Sequence, residues 1–154
     1  MSDAAVSDFT LPSTGGTDFS LSAVRGRPVV LYFYPKDNTP GCTTEALQFR
    51  DLHDEYRALG ATVLGISRDS IRSHEGFKSK LALPFDLLSD EDEKVCAQFG
   101  VIKLKNMYGK QVRGIERSTF VLDGAGAIRR EWRGVKADGH AMEVLEFLRQ
   151  LDRR

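Results

Sequence analysis

Cys42 is the residue whose type and placement in this sequence most strongly indicate chemistry. It follows segment 37–41 (DNTPG), which is rich in loop-forming residues, and precedes a run with helical periodicity. Thr39 is predicted to cap that helix and Pro40 to occupy its first position, so Cys42 falls in the first turn. Free backbone N–H groups and the helix dipole at that place favour the thiolate, which is the nucleophilic form of cysteine.

A free cysteine can also be a small buried apolar residue, and most free cysteines are. Here, however, the loop before Cys42 directly follows the apolar, β-rich run 28–34. The carboxyl ends of strands in α/β sheets are where ligands bind. We therefore interpret Cys42 as a reactive residue rather than as core filler.

Alternating β-rich and helical segments surround Cys42. Run 28–34 is predicted to be a strand buried on both faces, typical of a sheet with parallel neighbours. The other predicted elements are, in chain order, a hairpin around Gly15 and Gly16, helix 40–59, strand 61–67, helix 70–81, strand 84–88, helix 91–99, hairpin 118–135 and a closing helix with Met142, Leu145, Leu148 and Leu151 on one face. Segment 102–116 has weak periodicity and is predicted to be a long loop. The order predicts an α/β protein with a central mixed sheet flanked by helices on both faces, and it resembles the thioredoxin fold.

Size and composition are ordinary for a globular protein. The 154 residues fit one domain, 1–154, and Lys plus Arg equals Asp plus Glu at 22 each, so nothing indicates nucleic acid or a membrane surface as partner. The N-terminus has no signal-peptide pattern, and two cysteines are too few for a disulfide framework. We therefore expect a cytoplasmic protein.

Several segments of the chain resemble one family. Residues 35–45 (PKDNTPGCTTE) are similar to the signature Pro-x-x-x-Thr-x-x-Cys of the peroxiredoxins, and in particular to the Q-type branch, the bacterioferritin comigratory proteins. Segments 95–101 (VCAQFGV), 108–110 (YGK) and 114–120 (GIERSTF) resemble the same branch. The resemblance implies a thioredoxin-like fold and a thiol-dependent peroxidase for antioxidant defence. Such an enzyme reduces hydrogen peroxide and organic hydroperoxides through a cysteine sulfenic acid. It uses an external thiol reductant, such as thioredoxin or a glutaredoxin system, and no cofactor.

The resemblance also implies roles for individual residues. In the family, a threonine hydroxyl contacts thiolate and peroxide, an arginine donates to both, and a proline shields the thiolate from water. Carried over to this chain, these residues are Thr39, Arg117 and Pro35. Glu45 lies three residues after Cys42 on the same helical face. It either orients Arg117 or merely favours the helix dipole as a first-turn glutamate.

The residue that resolves the sulfenic acid is where the chain departs from the pattern. Many Q-type members carry a second cysteine five residues after the first, and that position is Leu47 here. Others carry it on the next helix, but 70–81 contains none, so Cys96 is the only other thiol. Its surroundings predict burial. We expect an external thiol to resolve Cys42 in a monomer, while a Cys42–Cys96 disulfide formed by local unfolding, and a dimer, remain alternatives.

Two other functions compete with peroxide reduction. A thiol–disulfide oxidoreductase usually needs Cys-x-x-Cys, but the second cysteine of that motif would fall at Glu45. A redox-sensing binding module would not need the intact set of signature residues. His53, His74 and His140 lack the spacing of a helical metal pair, so no metal site is predicted and a surface or structural role is expected.

Overall fold

The computed structural model describes residues 5–153. The strands are β1 Thr10–Ser13, β2 Thr17–Ser20, β3 Val29–Phe33, β4 Thr62–Ser67, β5 Asp86–Ser89, β6 Ile102–Met107, β7 Lys110–Ile115, β8 Ser118–Leu122 and β9 Ile128–Arg133. The helices are α1 Pro40–Asp51, α2 His53–Ala58, α3 Ile71–Leu81, α4 Lys94–Gln98 and α5 His140–Asp152, with a short 3-10 helix at Leu21–Val24. Seven of these strands form one sheet in the order β2-β1-β5-β4-β3-β8-β9, and β6 and β7 form a separate hairpin. None of the helices described is long and apolar enough to cross a membrane.

β3 lies inside the sheet, between β4 and β8, and all five of its residues are buried. Val30 and Tyr32 pack in a core shared with residues of α1, α3 and α5, whereas Leu31 and Phe33 pack in a core shared with α4. Successive side chains of a strand point to opposite faces, so a strand covered on both faces becomes apolar at every position. The predicted mixed sheet with helices on both faces is confirmed.

The two neighbours of β3 run in different directions. β4 is parallel to it, as predicted, but β8 is antiparallel, with Phe33 opposite Ser118 and Val29 opposite Leu122. The prediction of parallel neighbours is therefore wrong for β8, which the chain enters from the β6–β7 hairpin rather than through a helical crossover. As a result, the residue that precedes β8 lies at the same end of the sheet as the residues that follow β3.

The predicted helix 40–59 is interrupted. α1 ends at Asp51 and α2 begins at His53, because Leu52 leaves helical geometry with φ −99° and ψ 3°. One distorted residue hardly changes which face the later side chains present, so Phe49 and Tyr56 are still both buried in the same core. The apolar spacing alone therefore could not reveal the break.

Segment 102–116 is the hairpin of β6 and β7, so the prediction of a loop is wrong. Most of β7 is exposed, and exposed strands need no alternation of apolar and polar residues. Tyr108 and Gly109 at the turn have φ of 53° and 77°, values that suit a tight two-residue hairpin.

The buried face of α5 also differs from the prediction in one position. Ala141, Val144, Leu145 and Leu148 are buried, whereas Met142 is 43% exposed. A spacing of three residues drifts around a helix that has 3.6 residues per turn, so Met142 leaves the face that Leu145 and Leu148 share.

Phe49 provides a test of this packing. Its ring is fully buried on α1 and stacks on Tyr32 of β3, with ring centroids 4.5 Å apart. We expect Phe49→Ala to lower the free energy of unfolding by about 3–5 kcal/mol, because it leaves a cavity in the core. Tyr108→Ala removes a ring on a residue that is 99% exposed. It should change the free energy of unfolding by less than about 0.5 kcal/mol. Urea denaturation measures both; equal effects would contradict the assigned packing.

Candidate active site

The first turn of α1 holds the thiol of Cys42 as the sequence predicts. Thr39 is the N-cap residue, Pro40 is the first helical residue, and the N–H of Thr43 donates to the carbonyl of Thr39 at 2.9 Å. The predicted N-cap position of Thr39 is thus confirmed, although its hydroxyl makes no capping hydrogen bond and donates to the carbonyl of Lys36 at 2.9 Å. The thiol itself is buried, with 1% of Cys42 exposed.

Arg117 connects this thiol to a buried carboxylate. Its Nη2 donates to Sγ of Cys42 at 3.6 Å, and its Nη1 donates to Oε1 of Glu45 at 2.7 Å. Arg117 immediately precedes β8, and the antiparallel register that pairs Phe33 with Ser118 brings it beside the chain that leaves β3. One guanidinium therefore presents separate N–H groups to the sulfur and to the carboxylate.

Gly41 makes room for that guanidinium, and sequence reasoning missed it. A Cβ atom at this position would lie 2.9 Å from Nη2 of Arg117, closer than side chains tolerate. Gly41 lies in the first helical turn without needing a left-handed φ. A glycine that is not required by backbone conformation indicates a close approach by another group, and that was the available signal.

Glu45 is fully buried, and its environment changes its acidity. Burial raises the pKa of this carboxyl to about 7, against the lowering effect of the Arg117 charge and hydrogen bond. Burial in turn lowers the pKa of Arg117, but the neighbouring Glu45 and Cys42 outweigh it and the net shift is upward. Glu45 lies beyond the first turn of α1, which contains no acidic residue. The alternative of a first-turn glutamate is therefore wrong, and the contact with Arg117 remains.

Pro35 and Thr39 lie on the loop that joins β3 to α1, and both are half-buried. The structure thus brings Arg117 into direct contact with both Cys42 and Glu45. The hydroxyl of Thr39 bonds to its own loop rather than to the sulfur.

Cys96 lies away from this site. It is fully buried on α4 and packs in the core on one face of the sheet, whereas Cys42 packs in the core on the other face. Burial, together with the hydrogen bond and the negative charge of Asp90, raises the pKa of the Cys96 thiol far above its ordinary value. The predicted burial is confirmed, and such a thiol is protonated and unreactive.

One cluster of possible metal ligands lies near the loop before α1. Ligand atoms of Asp37, Asp69 and His74 lie within 4.8 Å of one another. His74 is buried, as a structural role would require, and its Nδ1 faces Asp37 at 2.7 Å. Asp69 accepts from the backbone N–H of Asp37 at 2.9 Å. These donors and acceptors are engaged with one another, an arrangement that does not require an ion.

Comparison with known proteins identifies the family that this chain resembles. The AhpC/TSA family pattern matches residues 3–131. Peroxiredoxin Bcp of Xanthomonas campestris is 53% identical over 146 residues, which are 95% of this chain and 91% of that protein. Peroxiredoxin Bcp of Bacillus subtilis is 46% identical over 147 residues, 96% of this chain and 94% of that protein.

Solved structures agree with these relatives. The bacterioferritin comigratory protein of Xanthomonas campestris, described in terms of its alkyl peroxide reduction activity, has a TM-score of 0.90 and 51% identity, covering 94% of this chain and 92% of that one. Peroxiredoxin 6 of Arenicola marina, in a cysteine-to-serine form, has a TM-score of 0.85 at 17% identity, covering 97% of this chain and 72% of that one. The predicted thioredoxin-like fold is confirmed.

The raised pKa of Glu45 makes a prediction about stability. Its folded pKa of about 7 exceeds the ordinary 4.5, so the folded state holds this proton more tightly than the unfolded state does. The stabilisation is complete below about pH 4.5 and is lost as pH rises through 7. Between about pH 5 and pH 8 we expect the wild-type free energy of unfolding to fall by about 2–3 kcal/mol relative to Glu45→Gln.

Urea denaturation of both proteins at the two pH values measures this difference. The control is Glu91→Gln, which changes an exposed carboxyl and should track the wild type. A Glu45→Gln curve parallel to the wild-type curve would contradict the assigned acidity.

Proposed function

We propose that Cys42 is the peroxide-reacting thiol of this chain, which belongs to the AhpC/TSA family and is a thiol-dependent peroxidase of the peroxiredoxin type. The observation that carries the proposal is the hydrogen bond from Arg117 Nη2 to Sγ of Cys42, at 3.6 Å on a buried thiol. Hydrogen peroxide and organic hydroperoxides are the proposed substrates. The alkyl peroxide reduction described for the Xanthomonas relative supports the second class.

The reaction begins with attack of the Cys42 thiolate on the terminal oxygen of the hydroperoxide. The S–O bond forms while the O–O bond breaks, so sulfur is oxidised and peroxide is reduced. The departing hydroxide or alkoxide takes up a proton and leaves as water or alcohol. Cys42 is then a sulfenic acid, the first and reversible oxidation state of a thiol.

Arg117 stabilises the charge that moves during this step. Lowering the pKa of a cysteine from about 8.5 to about 6 raises its thiolate fraction at pH 7 only some thirtyfold. Acidity alone therefore does not make an efficient peroxidase, and donors aimed at the developing charge on oxygen must supply the rest. With Nη1 held by Glu45, the guanidinium keeps a fixed plane toward the sulfur.

Thr39 and Pro35 complete the proposed site. The hydroxyl proton of Thr39 is donated to the carbonyl of Lys36, which leaves the lone pairs of that oxygen to accept a hydrogen bond from the hydroperoxide O–H. Pro35 carries no N–H group, and we propose that its half-buried ring shields the thiolate from water.

An external dithiol is the proposed reductant, and thioredoxin or a glutaredoxin system is the class we favour. Its first thiol attacks the sulfur of the sulfenic acid, releases water and forms a mixed disulfide. Its second thiol then breaks that disulfide and returns Cys42 to the reduced state. The opposite placement of Cys42 and Cys96 in the two cores supports this one-cysteine cycle.

Arg117 is the first residue to test. Arg117→Ala should slow the peroxide reaction by roughly a hundredfold or more, the scale for loss of one preorganised donor. Arg117→Lys should restore only part of the rate, because an ammonium lacks the planar fork with which the guanidinium contacts the sulfur and the carboxylate at once. Stopped-flow oxidation of Cys42 measures the rates. The control is Arg113→Ala in β7, whose side chain pairs with Glu93. Wild-type kinetics for Arg117→Ala would contradict the assignment.

The two cysteines are tested separately. Cys42→Ser should abolish peroxide consumption in a folded protein, whereas Cys96→Ser should keep substantial activity with a small-thiol reductant. Near-normal turnover by Cys42→Ser would overturn the central assignment.

The fate of Cys42 distinguishes one-cysteine from two-cysteine cycling. One equivalent of peroxide without reductant should leave sulfenic acid on Cys42, which a dimedone-type reagent traps, while Cys96 stays free. Intact-mass analysis measures the adduct. The loss of two hydrogens, with both thiols blocked to alkylation, would instead reveal a Cys42–Cys96 disulfide.

A further inference from the structure

A buried polar cluster lies beside the loop that precedes Cys42, and the reaction described above does not use it. We call it the Asp37–His74 network; its members are Tyr34, Asp37, Ser67, Asp69, Ser73 and His74. It joins the end of β3, the end of β4 and the first turns of α3. Asp37 belongs to the active-site loop itself, so the network and the site share one stretch of backbone.

Asp37 is the centre of the network and is only 4% exposed. Its carboxylate accepts from the hydroxyl of Tyr34 at 2.6 Å, from the hydroxyl of Ser73 at 2.8 Å and from Nδ1 of His74 at 2.7 Å. Its backbone N–H donates to Asp69 at 2.9 Å. Burial alone would raise the pKa of Asp37, but the hydrogen bonds and charge of this shell outweigh it and hold the pKa below its ordinary value.

His74 is fully buried, and both of its ring nitrogens face strong acceptors. Nδ1 faces the carboxylate of Asp37 at 2.7 Å, and Nε2 faces the carbonyl of Leu88 in β5 at 2.9 Å. The ring is therefore held between the active-site loop and β5. The buried carboxylate of Asp37 depends on its hydrogen-bond partners, and removing one of them leaves it less compensated.

The network reaches the reacting atoms through the peptide group that joins Lys36 to Asp37. Asp37 is fixed by its side chain and by its N–H, and the preceding carbonyl, that of Lys36, accepts the hydroxyl of Thr39 at 2.9 Å. Asn38, between Asp37 and Thr39, has a φ of 66°, a left-handed conformation that asparagine adopts more readily than most residues. The loop therefore turns sharply at Asn38, and the anchored Asp37 fixes one side of that turn.

We propose that Asp37 and His74 are positioning residues, which fix loop 35–39 so that the hydroxyl of Thr39 meets the peroxide at Cys42. The proposal rests on the role assigned to Thr39 in the proposed function. Neither residue is hydrogen-bonded to the sulfur, which accepts from Arg117. Their removal therefore misplaces an acceptor needed by the peroxide while leaving the thiol and its guanidinium partner in place.

The test separates the peroxide reaction from thiolate formation. In a Cys96→Ser background, the variants are Asp37→Asn, His74→Gln and the two combined. Stopped-flow oxidation gives the rate with hydrogen peroxide, and the ultraviolet absorbance of the thiolate gives the ionised fraction of Cys42. We expect His74→Gln and Asp37→Asn each to slow oxidation by roughly tenfold or more, a scale set by misplacement of a positioned group. The thiolate fraction should stay within about a factor of two at the assay pH.

The double variant supplies a second criterion. If the two residues act as one unit, the combined variant should be no slower than the slower single variant, because the unit is already broken. Multiplied effects would overturn the proposal of a common role. If either variant fails to fold, Ser73→Ala and Tyr34→Phe each remove one hydrogen bond to Asp37 and should each slow oxidation measurably; wild-type rates in both would overturn the proposal.

Two controls distinguish failure of the positioning proposal from failure of the proposed function. Tyr56→Phe removes a buried hydrogen bond to the carbonyl of Ala141, 2.6 Å long, in the same core. Tyr56→Phe should leave the oxidation rate unchanged. If it slowed oxidation as much as His74→Gln does, the effect of the network variants would be a general loss of stability, and the positioning proposal would be overturned. Thr39→Val tests the premise. A slow Thr39→Val beside fast network variants overturns the inference alone, whereas a fast Thr39→Val overturns the assigned role of Thr39 and the inference with it.

Discussion

The site depends on one cation that is shared by two buried groups able to carry negative charge. Cys42 and Glu45 are at most 1% exposed, and each accepts a hydrogen bond from a different nitrogen of Arg117. In a medium of low polarity, two anions near one cation compete for its stabilisation. Protonation of Glu45 therefore removes the competing anion and strengthens the stabilisation of negative charge on the sulfur by Arg117. The carboxyl pKa of about 7 places this protonation within the physiological pH range.

The sheet is what makes this sharing possible. Cys42 follows β3 along the chain and Arg117 precedes β8, 75 residues apart in sequence. The two strands are antiparallel neighbours with Phe33 opposite Ser118, so the exit of one and the entrance of the other coincide. Gly41 then allows the guanidinium to lie against the first turn of α1, next to the thiol. A Cβ atom at Gly41 would collide with Nη2 of Arg117.

Local patterns predicted the parts of the site that local interactions determine. Pro40 at the first helical position, the buried strand before it and Cys42 in the first turn all follow from neighbouring residues. The resemblance, rather than any spacing, implied Arg117, and its contact with Glu45 depends on strand register. The β6–β7 hairpin was missed because exposed strands carry no apolar alternation. The hydrogen bond between Asp37 and His74 was missed because two isolated polar residues, 37 positions apart, produce no periodic pattern in the sequence.

The two cysteines show why residue type alone could not settle the chemistry. Cys96 is as deeply buried as Cys42, but its surroundings are apolar and its polar neighbour Asp90 is acidic, so the pKa of its thiol rises. At Cys42 the polar neighbour is a guanidinium. Glu45 holds that guanidinium even though its Oε2 has no hydrogen-bond partner in the described residues, a defect that typically destabilises a fold by about 1–3 kcal/mol. An apolar side chain would remove this defect and would also release Arg117. The buried carboxylate is therefore best understood as a stability loss tolerated to keep a cation aimed at the sulfur.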